Sequence, residues 1–295
     1  MKMSRCIVLL LLIAASFTGC GQPQVASGKA PQTIGQMADG VVRPRLDAGK
    51  ELAVYKNGVR NPACWAYGLE LTAFAPGVQD GCLITPSVYM VAAHDPGLGV
   101  GGVITFFSKT SEKISRKVTK QVKAATYARP KYGSPLPDVT LFLLDSPLPA
   151  AIVPVKFLPV DWAKYIDNNG AGIPIITINN LEEALVLSTL AVQQTDSATA
   201  GNAQRTRYKR QYVAPFGAFS KAINGAESGS PAFLATTDEA VLLSLTQVWL
   251  GSMDTRAGTA WTDPQSWAAL EKALKALGTI ERPARADFSR FRRLN

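Results

Sequence analysis

The 295-residue chain is poor in the side chains that most often carry chemistry near neutral pH. It has one histidine and four cysteines, and no two cysteines form a Cys-x-x-Cys pair. A structural zinc site needs several such ligands, so the composition argues against a bound metal. No P-loop is present, and we expect no cofactor of any kind.

A long membrane-spanning run is also lacking. The apolar stretch at residues 7–15 is too short to span a bilayer, and it follows a basic start at residues 2–5. Residues 1–19 are therefore predicted to be a signal peptide. Its end, residues 17–20 (FTGC), resembles a bacterial lipobox. That resemblance implies a lipid-modified Cys20 that anchors the chain to a membrane in the bacterial cell envelope, the outer membrane in a Gram-negative cell. The alternative is an ordinary signal peptide that is cleaved elsewhere.

Three short segments bring together the residue types of nucleophilic catalysis. His94, the only histidine, lies in VAAHD, Asp138 opens the apolar run DVTLFLL, and Ser228 lies in the Gly-flanked sequence GAESGSP. A serine hydroxyl is a weak nucleophile until a neighbouring base takes its proton. A carboxylate behind an imidazole fixes its tautomer and stabilises the imidazolium ion. Seen alone, each residue would more often be structural, but together they form a hypothesis for a catalytic triad.

In this order, the three segments resemble the signatures of the chymotrypsin/trypsin-like serine peptidases, over about residues 50–278. The resemblance implies an all-β fold of two six-stranded antiparallel β-barrels with a C-terminal helix. It makes Ser228 the nucleophile, His94 the base and acid, and Asp138 the orienting group. The implied activity is that of a serine endopeptidase that cleaves peptide or protein substrates through an acyl-enzyme.

The same resemblance places the oxyanion hole at the backbone amides of Ser228 and Ala226, and the substrate pocket near Ala222 and Asn224. The family usually has Gly where this chain has Ala226, and Asp or Asn where it has Glu227. An alanine in an unusual backbone conformation costs about 1 kcal/mol. Because of these departures, an alternative interpretation is an inactive lipoprotein that uses the fold as a binding or scaffold module. A hydrolase of another class, such as an esterase, is a third interpretation.

The cysteines support an extracytoplasmic location. Cys6 lies in the signal segment and Cys20 in the lipobox, which leaves Cys64 and Cys82. Outside the cytoplasm, an even pair predicts a disulfide bond between them. The alternative is two buried free thiols.

Composition and periodicity divide the rest of the chain. Residues 20–40 are rich in Gly, Gln, Ala and Pro and predict a flexible tether. The two barrels are expected at residues 41–150 and 151–262, with a boundary among the prolines of 147–159. Short apolar runs separated by Gly, Pro and Asn predict strands. These lie at residues 65–72, 88–92, 103–107, 118–124, 139–144, 173–178 and 241–248.

The C-terminal part combines one helix with a basic tail. Residues 263–278 predict a helix, because Asp263 is a good N-cap, Pro264 a good first residue and Gly278 a good stop. The net charge is +9, and basic residues cluster at several places, including the tail at 279–295. We expect solvated loops and a disordered tail, the alternative being contact with anionic lipids or acidic peptides. Nucleic acid is not an expected partner.

Overall fold

The structure is a computed structural model that describes most of the chain and places nearly all of the described part in one unit. The described residues are 31–48, 51–77, 80–94, 97–124, 137–167, 172–196, 203–210, 216–221, 228–236, 238–249 and 254–294. Residues from Gln32 onward form one compact unit. Within the described ranges the unit is mostly β, with two α-helices and two short 3-10 helices.

Helix α1, Ile34–Ala48, occupies part of the segment that was predicted to be a tether. It begins with a capping box, in which the Gln36 N–H donates to Thr33 Oγ1 (3.2 Å) and the Thr33 N–H donates to Gln36 Oε1 (2.9 Å). The tether prediction is therefore wrong from residue 34 onward, and residues 41–48 are helical rather than part of a barrel. The reason is a helical apolar stripe that is buried in the core: Ile34, Met37, Ala38, Val41, Val42 and Leu46.

A small hairpin precedes the first large sheet. Its strands are β1, Tyr55–Lys56, and β2, Val59–Arg60, joined by a two-residue turn. Both turn residues, Asn57 and Gly58, have positive φ, as tight hairpins of this kind require.

The first large sheet has five antiparallel strands in the order β3-β4-β7-β6-β5. The sequence predicted strands within four of these, and no strand was predicted at residues 81–85. The predicted strand at 65–72 is wrong: Trp65 donates its indole N–H to Ala184 O (2.8 Å), and the segment forms successive turns around buried apolar side chains. The five strands are β3 (Gly81–Thr85), β4 (Val88–Ala92), β5 (Val103–Phe107), β6 (Lys113–Ala124) and β7 (Val139–Leu144).

The second large sheet has eight strands in the order β14-β15-β11-β10-β9-β12-β13-β8. Its pairs are antiparallel except for β13 and β8, which are parallel. Sheets of five and eight strands replace the predicted six and six, and within the described residues neither sheet pairs its first strand with its last. The strands are β8 (Lys156–Phe157), β9 (Pro174–Ile178), β10 (Ala184–Asp196), β11 (Ala203–Arg210), β12 (Pro231–Ala235), β13 (Ala240–Leu245), β14 (Val248–Trp249) and β15 (Thr255–Thr259).

Helix α2, Pro264–Leu277, lies where the sequence predicted a helix. The Asp263 carboxylate caps it by accepting from the Ser266 N–H (2.9 Å) and hydroxyl (2.8 Å). Gly278 ends it in the left-handed conformation, at φ 84°. Its apolar stripe packs against β6 and β7, so this helix covers the first sheet. Neither described helix is long and apolar enough to cross a membrane.

The C-terminal segment packs on the body of the protein, so the prediction of a disordered tail is wrong for its described residues. The Phe157 N–H donates to Ala284 O (2.9 Å), and the Ala286 N–H donates back to Phe157 O (2.8 Å). The side chains of Phe288 and Phe291 are buried. The tail packs against the rest of the protein because its aromatic residues complete the core, while its arginines keep their charges near water.

Candidate active site

The His94–Asp138 pair is built by the antiparallel pairing of β4 with β7. Ala92 is opposite Val139, and the Ala93 N–H donates to Asp138 O (3.0 Å), so the chain carries His94 directly to Asp138. There the imidazole Nδ1 is hydrogen-bonded to Asp138 Oδ2. If Nδ1 carries the hydrogen that this carboxylate accepts, the other ring nitrogen, Nε2, is the one able to accept a proton.

The burial of the pair is uneven. The Asp138 side chain is only 3% exposed, whereas the His94 side chain is 31% exposed. A carboxylate shielded from water interacts more strongly with its partner than an exposed one. The partly open imidazole can still meet a substrate, which is the arrangement that a general base needs.

Ser228 lies on a turn directly before β12, and the turn depends on Gly229. Gly229 has φ 99°, and a Cβ added there would overlap the carbonyl oxygen of Asp80. Only glycine combines this backbone conformation with such a close approach. The turn is tied to the end of β13, because the Gly229 N–H donates to Thr246 O (2.7 Å) and the Thr246 N–H donates to Ser230 O (2.8 Å).

Consecutive residues after β13 join the serine turn to the aspartate. Thr246 bonds the serine turn, and the next residue, Gln247, donates its amide to Asp138 O (3.1 Å). The amide oxygen of Gln247 in turn accepts from the N–H and hydroxyl of Thr259, each at 3.0 Å. This buried glutamine is therefore held at both ends, and it keeps the Ser228 turn and the His94–Asp138 pair in the same region of the molecule.

A second link runs from the serine turn to the histidine hairpin. The Ser230 hydroxyl donates to Asp80 Oδ2. Asp80 directly precedes β3, whose first residue, Gly81, is opposite Val91 in the register of β3 and β4. No local pattern in the sequence points to Asp80 or Gln247, because their contacts join residues that are 150 and 109 positions apart in the chain.

A cavity of about 240 Å³ opens beside Ser228. Its walls include two carboxylates, Asp80 and Glu182, and two aromatic residues, Tyr55 and Phe74. The Tyr55 hydroxyl donates to Phe74 O (2.9 Å), and burial raises the pKa of this phenol to about 12. The tyrosine is therefore a neutral wall of the cavity at physiological pH rather than an acid or base.

Several predicted site residues lie outside the described residues. They are Cys20 of the lipid anchor, Ala222 and Asn224 of the substrate pocket, and Ala226 of the oxyanion hole. Of the predicted oxyanion-hole pair, the structure therefore describes Ser228 alone.

The predicted disulfide does not form in the structure. Cys64 and Cys82 are both free and buried. Burial raises the pKa of the Cys64 thiol to about 11, and the pKa of the Cys82 thiol still further. Cys64 Sγ lies 3.5 Å from Leu52 O, whereas Cys82 lies within β3. The two thiols are thus separate members of the core, which is the alternative that the sequence left open.

Comparisons with known proteins found similarity in structure. No family model matches the chain, and no curated protein matches its sequence. Among solved structures it is similar to neuropsin, described as a serine protease expressed in the limbic system of mouse brain. The two share 13% sequence identity with a TM-score of 0.43, over 65% of this chain and 87% of that one.

Proposed function

We propose that this chain is a trypsin-like serine endopeptidase that cleaves peptide bonds through an acyl-enzyme. One observation carries the proposal: the only histidine, His94, is paired with the buried carboxylate of Asp138, in the region where Ser228 lies on a glycine-dependent turn. A base, its orienting carboxylate and a serine within reach of substrate are the groups that acyl transfer needs, and Ser228 is half-buried beside a cavity.

The reaction assigns one role to each residue. His94 Nε2 takes the proton of Ser228 Oγ as this oxygen attacks the carbonyl carbon of the substrate. The tetrahedral intermediate then collapses, and the amine leaves with the proton that His94 had taken. A water molecule, deprotonated by His94, hydrolyses the remaining ester and regenerates the Ser228 hydroxyl. Throughout, Asp138 accepts from Nδ1–H and stabilises the imidazolium ion.

The oxyanion of the tetrahedral intermediate needs backbone donors close to Ser228. The Gly229 N–H is not one of them, because it donates to Thr246 O. As the family resemblance implies, we assign the oxyanion to the amides of Ser228 and Ala226. The substrate pocket is assigned to Ala222 and Asn224, and the lack of an acidic residue at either position disfavours cleavage after Lys or Arg.

We also propose that the enzyme is held in the bacterial cell envelope by acyl chains on Cys20. The basic start, the short apolar run and the FTGC sequence of residues 1–20 support this anchor. A Cys20→Ser variant should lose incorporation of labelled palmitate and leave the membrane fraction. Palmitate incorporation into Cys20→Ser would contradict this assignment.

The activity is tested with a fluorophosphonate probe, which reacts with activated serines. We expect the full-length chain to be labelled, and Ser228→Ala and His94→Ala to lose the label. Ser146→Ala is a matched control, because Ser146 is an exposed serine away from the site. Absence of label on the folded wild-type chain would refute the proposed hydrolase activity and favour a role as a binding or scaffold module. Labelling with cleavage of ester but not peptide substrates would instead indicate an esterase.

A further inference from the structure

Asp80 makes two contacts with the residues that follow Ser228. Its carboxylate accepts from the hydroxyl of Ser230, and its carbonyl oxygen lies where Gly229 would carry a Cβ. Ser230 is completely buried. Asp80 therefore holds the serine turn by a hydrogen bond from a buried hydroxyl and by close packing of its backbone.

Asp80 belongs to the part of the fold that carries His94. It precedes Gly81, the first residue of β3, and Gly81 is opposite Val91 in β4. His94 follows two residues after β4 ends at Ala92. A hairpin fixes its two strands relative to one another, so the position of Asp80 is fixed relative to the imidazole.

The backbone hydrogen bonds of the turn run in another direction. Gly229 and Ser230 both bond to Thr246, which follows β13 in the second sheet. These bonds hold the turn to the second sheet, whereas Asp80 links it to the first. Ser228 precedes β12 of the second sheet and His94 follows β4 of the first, so the distance between them depends on how the two sheets are held together. The Asp80–Ser230 bond joins these same two parts of the fold.

We propose that Asp80 is a positioning residue that sets Ser228 against His94 through the hydroxyl of Ser230. The inference rests on the proposed function. It adds to that function a residue that acts on the reacting atoms through Ser230, by accepting the hydrogen bond from the Ser230 hydroxyl.

The role of Asp80 as an acceptor predicts a specific order of variants. Asp80→Asn keeps an amide oxygen that can accept from Ser230, so it should retain most of the reactivity of wild type. Asp80→Ala and Ser230→Ala each remove the bond. A misplacement of a reacting group by about 1 Å can cost on the order of 10²-fold, and we expect a loss of that size in the labelling rate.

The first measurement is the rate of labelling of the full-length chain by a fluorophosphonate at several probe concentrations. The maximal labelling rate at saturating probe should fall in Asp80→Ala and Ser230→Ala. The probe concentration that gives half of that rate should stay unchanged. Asp145→Ala, at an exposed aspartate after β7, is the control and should label as wild type does. Equal rates for Asp80→Ala and wild type would overturn the inference.

The second measurement does not depend on catalysis. Amide hydrogen exchange, followed by mass spectrometry, should speed up at residues 228–230 in Asp80→Ala and Ser230→Ala but not in Asp80→Asn. Unchanged exchange at these residues in Asp80→Ala would refute the inference even if no variant were labelled. A wild-type chain that is not labelled would refute the proposed function alone, because the exchange result would still decide the role of Asp80.

Discussion

The Asp138→Asn substitution tests the central pair with the smallest change of shape. Asp138 is 3% exposed and accepts from His94 through Oδ2. Its backbone oxygen accepts from Ala93 and Gln247, and the substitution leaves both of these bonds in place. Asparagine has the same size but no charge, so the fold should persist while the environment of the imidazole changes.

The expected loss in the labelling rate follows from what the Asp138 carboxylate does for His94. A hydrogen bond to a charged group contributes about 1.5–3 kcal/mol, which corresponds to a loss of about 10-fold to 150-fold in rate. If the asparagine NH₂ faces Nδ1, the imidazole proton moves to Nε2 and the ring can no longer accept the proton of Ser228. A wrong tautomer of this kind costs about 10⁴-fold. The expected loss therefore lies between about 10-fold and 10⁴-fold.

The assay is the second-order rate constant for fluorophosphonate labelling, with thermal unfolding measured in parallel. Asp145→Asn is the matched control, because Asp145 is exposed at the other end of β7. We expect Asp145→Asn to label at the rate of wild type, and both variants to unfold near the wild-type temperature. A rate for Asp138→Asn within about threefold of wild type, less than 1 kcal/mol, would show that Asp138 does not orient the base.

Further predictions concern the cysteines and helix α2. Because burial disfavours the thiolate, the raised pKa values of Cys64 and Cys82 keep both thiols protonated at pH 8. Peptide mapping should find both unalkylated by iodoacetamide in the native chain and both alkylated after unfolding without reductant; a Cys64–Cys82 crosslinked peptide would contradict this. Asp263→Ala removes the cap on Ser266 and should cost about 1 kcal/mol, lowering Tm by about 2–4 °C, whereas Asp263→Ser retains a cap. Equal melting temperatures for the two variants would show that the cap does not stabilise the helix.

Local signals in the sequence predicted local structure well where they agreed with one another. Asp263, Pro264 and Gly278 act within a few residues, and helix α2 begins and ends at them. The same kind of signal was present in α1 as the Thr33–Gln36 capping box. It was missed because the flanking Gly, Gln and Pro residues favoured a tether, although an apolar stripe of helical period runs through the segment.

The strand predictions were less complete, because a run of apolar residues does not specify extended backbone. Residues 65–72 are apolar enough for a strand, yet they form turns whose side chains fill the core around Trp65. The strand count of each sheet likewise depended on pairings between distant segments, such as β8 beside β13, that no local pattern encodes.

The sequence by itself determined the candidates for chemistry. One histidine in the whole chain made His94 the only imidazole base, and the order of His94, Asp138 and Ser228 suggested acyl transfer. Only the tertiary structure decided that His94 and Asp138 meet, that Cys64 and Cys82 stay apart, and that Asp80 and Gln247 form hydrogen bonds between the two sheets. The physical reason is that residue type fixes what a side chain can donate, accept or titrate, whereas distance and burial depend on how strands far apart in the chain pair and pack.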